Sequence, residues 1–156
     1  MNWEAIGAVG EIIAALAVVG SLAYLAIQIR QQNSETRIAA MHDISVGFRD
    51  VLETIATGVI ADVLQSAIED YESLSLADRM RLIAAVGKTF RVWEEAYFLH
   101  EAGRLEPRIW KGMVGQFNGY MSLRPFIEIW AIRKQYFDEE FRRFVDGLER
   151  GDYNFE

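Results

Sequence analysis

Residues 6–29 form one apolar run of 24 positions carrying a single formal charge, Glu11. Downstream the pattern changes. Apolar residues step by three and four, as in Ile38, Met41, Ile44/Ser45, Phe48, Val51/Leu52 and Ile55. The first pattern is apolar on every side of a helix, whereas the second marks one buried stripe per helix. No stretch alternates with a period of two between hairpin turns, so the sequence predicts an all-α protein.

A hydrocarbon core about 30 Å thick takes roughly 20 helical residues at 1.5 Å each, so the opening run is long enough to span with some tilt. The chain is read as a transmembrane helix with its flanks over 1–32, a bundle of four or five helices over 33–150, and a frayed tail over 151–156. One rival is a buried helix of a soluble bundle, but a fold of 156 residues has little protein with which to enclose 24 residues on all faces. The other is a secretory signal. That wants a basic start and a shorter run, and here Asn2, Trp3 and Glu4 precede the run while Ala15-Leu16-Ala17 lies inside it.

Local punctuation divides the rest. Neither Pro nor Gly interrupts residues 28–45, so the first helix either continues as a long rod to about Ala56, with Gly58 as its stop, or breaks at 31–34 with Asn33 or Ser34 as a new N-cap. A short helix is expected over 59–71 and a loop over 72–74. Ser75, Leu76, Ala77 and Asp78 resemble a capping box with Asp in place of Glu, opening a helix that runs to Ala102 before Gly103. Pro107 suits the first position of the next helix, and Arg124-Pro125 marks a boundary. Phe126, Ile129, Trp130, Ile132 and Phe137 continue the helical pattern, and Asp138 caps a last helix ending near Gly151.

Composition narrows the chemistry. The absence of Cys excludes a disulfide framework, a Cys-ligated zinc and a thiol nucleophile. A net charge of −7 lacks the basic footprint of a nucleic-acid binder. After Arg30 there are 15 basic and 21 acidic residues, which makes this part an acidic soluble domain. His42 adjoins Asp43, but helical neighbours point about 100° apart. Glu94, Glu95, His100 and Glu101 lack the Glu-x-x-His spacing of carboxylate di-iron bundles. No G-x-S-x-G occurs, and the glycines 112, 115 and 119 match no phosphate loop; they are expected to permit close helix packing. No catalytic residue, metal or cofactor is therefore predicted. The aromatic set Phe90, Trp93, Tyr97, Phe98, Trp110, Phe117, Tyr120, Phe126 and Trp130 reads as core, with a lipid, quinone or pigment pocket as the sharper alternative.

The opening run carries its own candidates. Gly10, Ala14, Ala17 and Ser21 recur at spacings of four, three and four, and Gly7 adds to that face. Small residues let helix backbones approach closely in lipid, so this is a predicted helix-association seam for a second copy or a foreign membrane helix. Glu11 is an intramembrane carboxylate with three readings: it snorkels to the headgroups, it hydrogen-bonds across a helix interface, or it lines a polar path through an oligomer. Gln28 is the polar residue of the other end. Trp3 is placed as an interfacial anchor, and Arg30, followed by Arg37 and Arg49, puts the C-terminal side in the cytoplasm.

The segment NWEAIGAVGEIIAALAVVGSLAYLAIQIRQ resembles the start of a widespread group of small uncharacterised bacterial proteins with one membrane helix ending in Ile-Arg-Gln and a short helical domain. The likeness extends to the stretches 72–81 and 90–97 and to the aromatic C-terminal half. It implies that Glu4, Gly7, Gly10, Glu11 and Arg30 are shared positions, and it implies no activity. The expectation is a single-pass bacterial inner-membrane protein, N-terminus outside, whose partners are the bilayer and a helix of its own kind. Two alternatives remain: a small ion-conducting oligomer with Glu11 lining the pore, and an accessory subunit of a larger membrane complex.

Overall fold

The computed structural model describes residues 2–151, save the side chains of residues 4–6. Of the expected frayed tail at 151–156, all but Gly151 lies outside the described residues, as does the Glu4 side chain. The protein is all-α, as its periodicity predicts, with six α-helices and no strand among the described residues. They are α1 (Trp3–Ala56), α2 (Val59–Glu69), α3 (Leu76–Glu101), α4 (Pro107–Tyr120), α5 (Arg124–Arg133) and α6 (Glu139–Asp146). The contacts divide the chain into two units, Met1–Ala39 and Ala40–Glu156.

In the first unit, α1 is helical throughout, and the alternative break at 31–34 does not occur. Ile12, Ile13, Leu16, Val18 and Val19 lie at successive angles around the axis, and all are more than half exposed. Among the described residues one helix is long and apolar enough to cross a membrane, and none of its most apolar window is buried within the chain. An enclosed core helix would show the opposite.

The second unit is held by a core of aromatic rings. From the last part of α1, Ile44 and Val51 point inward, while Ser45 and Leu52 of the alternative register are exposed. Phe48 of α1 stacks on Phe117 of α4 at 6.2 Å. Lys88 of α3 reaches Asp50 at 2.6 Å and the Thr54 hydroxyl at 3.1 Å. The middle of α3 buries Leu82, Val86, Phe90 and Trp93. Phe90 packs edge-on to Trp93 at 5.1 Å and against Trp130 at 4.8 Å, and Trp93 stacks on Phe117 at 4.2 Å. Each such pair adds about 0.5–1.5 kcal/mol beyond the area it removes from water. Among the described residues the buried Trp93 indole N–H finds no acceptor, so packing alone holds that ring in place.

The helix ends follow from local signals. Gly58 has φ +60° and ψ −142°, a combination open to glycine, and it separates α1 from α2. Gly103, at φ +65°, closes α3 in a Schellman motif: the Arg104 N–H bonds the Leu99 carbonyl and the Gly103 N–H bonds the His100 carbonyl. Pro107 occupies the first turn of α4, and Arg124-Pro125 opens α5. Ser75 caps α3 by accepting the Asp78 N–H at 3.1 Å. The return bond differs from a capping box: the Ser75 hydroxyl donates to the Asp78 carboxylate at 2.6 Å. Asp is one methylene shorter than Glu, so it meets the hydroxyl rather than reaching back to the cap's backbone.

Three boundaries depart from expectation. The loop at 72–74 contains a 3₁₀ turn, Tyr71–Ser73, because the Asp70 side chain accepts the Glu72 N–H. The pattern after Arg133 closes in a second 3₁₀ turn, Lys134–Tyr136, leaving Ile132 half exposed. Helix α6 stops at Asp146 rather than near Gly151. After Gly147 the Leu148 N–H bonds the Val145 carbonyl three residues back, and the Gly151 N–H turns to the Asn118 carbonyl.

Candidate functional site

Helix α1 sets the positions of every residue that the sequence singles out for function. At about 100° per residue, Gly7, Gly10, Ala14, Ala17 and Ser21 fall within an arc of roughly 80°. Nothing outside the local helix lies within 4 Å of a Cβ built at Gly7 or at Gly10. The Ser21 hydroxyl donates to the Ala17 carbonyl at 2.8 Å. Its proton is therefore spent on its own helix, and the side chain presents a small surface rather than a free donor.

The arc continues beyond the predicted residues. Gly7, Ala14, Ser21 and Gln28 are spaced by seven, as are Gly10, Ala17 and Tyr24. A repeat of seven matches a helix slightly overwound to 3.5 residues per turn, the geometry of left-handed helix pairs. The Gln28 amide donates to the Tyr24 hydroxyl at 3.0 Å, so the two polar members of the face are tied to each other. Tyr24 is the residue that the sequence reading missed, and extending the four-three spacing by one step finds it. Glu11 stands about 40° from Gly7 and flanks the arc rather than lying in it. Trp3 is 71% exposed, and Arg30 is exposed.

The structure brings none of the titratable candidates of the second unit into a reactive group. Among the described residues no three His, Asp or Glu gather around a possible metal position. His42 is exposed, and His100 stacks on the Trp110 ring at 4.5 Å. Glu94 pairs with Arg91 at 2.6 Å and accepts the Asp138 backbone N–H, which is a structural task. Glu95 is exposed, on a diverging direction of α3. The predicted aromatic set fills the core, with Phe98, 41% exposed, as the exception. Gly112 and Gly115 do not serve close packing as expected: both face outward, with nothing within 4 Å of an added Cβ. Between the end of α1 and α2 lies an apolar cleft of about 400 Å³ lined by Ile55, Ala61, Leu64 and Ile68.

Tyr71 and Tyr97 have their hydroxyl pKa raised, in each case first by burial. The Asp78 carboxyl is held below its ordinary value, first by the Ser75 hydroxyl and then by Arg81. These shifts arise at a helix cap and in the packed core.

No family model matches the sequence, and no curated protein or solved structure matches it either.

Proposed function

We propose that this protein is a single-pass membrane protein that works by assembly, with the first part of α1 in the bilayer and its small-residue face packed against the same face of a second copy. The observation that carries this reading is the seven-residue repeat of small positions on a helix whose apolar side chains are exposed all round. In lipid, apolar exposure costs nothing, and association depends on how closely backbones approach. Gly7, Gly10, Ala14 and Ala17 allow that approach, and Tyr24 with Gln28 supplies polar contacts near the far end.

Trp3 and Arg30 are about 40 Å apart along a helix rising 1.5 Å per residue. That matches a bilayer with its interfacial layers, about 40–45 Å. Glu11 then lies about 12 Å along from Trp3, a short way below the headgroup boundary. Snorkelling to that boundary is the reading that suits it. Arg30, Arg37 and Arg49, which follow the run, support a cytoplasmic side for the second unit in this reading.

The test is crosslinking of the full chain in native membranes and in mild detergent. A discrete multimer that falls to monomer in the double variant Gly10→Leu/Ala17→Leu is expected. A monomer at every concentration overturns the assembly reading. A particle of constant composition containing a different membrane protein replaces self-association with the accessory-subunit reading.

A further inference from the structure

We draw no further inference here: the strongest candidate, the apolar cleft between the end of α1 and α2 lined by Ile55, Ala61, Leu64 and Ile68, carries nothing because nothing in the structure shows what covers it.

Discussion

Glu94 Oε1 accepts the backbone N–H of Asp138 at 2.9 Å, which joins the middle of α3 to the cap of α6 across 44 positions of sequence. The other carboxylate oxygen takes Arg91 at 2.6 Å. Arg91 in turn donates to the Tyr136 carbonyl at 2.9 Å and lies 4.1 Å from the centre of the Phe137 ring. One mostly buried carboxylate thus fixes the turn that precedes the last helix.

Glu94→Ala removes both bonds and leaves the Asp138 N–H and the Arg91 guanidinium without their acceptor. Hydrogen bonds to charged groups contribute about 1.5–3 kcal/mol, so a fall of that order is expected. Denaturant unfolding of the detergent-solubilised chain, followed by far-ultraviolet circular dichroism, measures it. Glu94→Gln keeps an acceptor and should lose less. Equal losses in the two variants would show that the charge, not the acceptor, carries the contact.

Phe90 is fully buried and touches Trp93, Phe126, Trp130 and Phe137, whereas Phe98 is 41% exposed. Phe90→Ala should cost about 3–5 kcal/mol, the range for emptying a buried aromatic site. Phe98→Ala should stay within about 1 kcal/mol, as ordinary surface changes do. The same unfolding curves compare the two, and similar losses would contradict the assigned core.

Gly58→Ala places a Cβ on backbone at φ +60° and ψ −142°. The expected loss is about 1–3 kcal/mol, and the surrounding space is open, so the whole effect is backbone strain. Gly112→Ala, on an outward helical position with equal room, should stabilise by up to about 1 kcal/mol. A destabilising Gly112→Ala would point to a contact on that face.

Burial pushes the Asp146 carboxyl pKa up, but bonds from the Trp130 indole at 2.8 Å and from Lys134 at 2.9 Å outweigh it and hold the pKa below its ordinary value. A depressed folded pKa stabilises above the unfolded value, and that contribution disappears as pH falls through the folded value. The stability gap between the parent chain and Asp146→Asn should therefore narrow below about pH 4, where an unperturbed Asp titrates. Unfolding midpoints measured at several pH values check this. A gap that stays constant into the acid range would mean that Asp146 contributes through packing alone.

Much of the fold was legible because its signals are local. Ser75 and Asp138 as caps, Pro107 in a first turn, and Gly58 and Gly103 as stops each act within a few residues of themselves. What stayed hidden depends on distant partners. Nothing in the neighbourhood of Glu94 announces a bond to residue 138. The chain after α6 turns to the Asn118 carbonyl, and Phe98 follows the aromatic spacing yet faces outward. The candidate face on α1 was legible as far as Ser21. Tyr24 escaped because it is not small, and Gln28 stood out for its polarity rather than as a member of the face; the repeat shows only when size is set aside and position kept.

Ser21 separates packing from hydrogen bonding on that face. Its hydroxyl is committed to the Ala17 carbonyl, so Ser21→Ala should leave the multimer fraction within about twofold, while Ser21→Leu should reduce it at least tenfold. Val19→Leu, on the opposite side of the helix, is the control and should change nothing. Crosslinked fractions in native membranes give the comparison. Loss of the multimer with Ser21→Ala would transfer the role to the hydroxyl.

Whether the opening helix resides in lipid is decided by fractionating the full-length chain from the expressing cell. Sedimentation with membranes, retention after an alkaline carbonate wash and release by detergent alone are expected. A chain that remains monomeric and soluble in buffer without detergent would contradict residence in lipid.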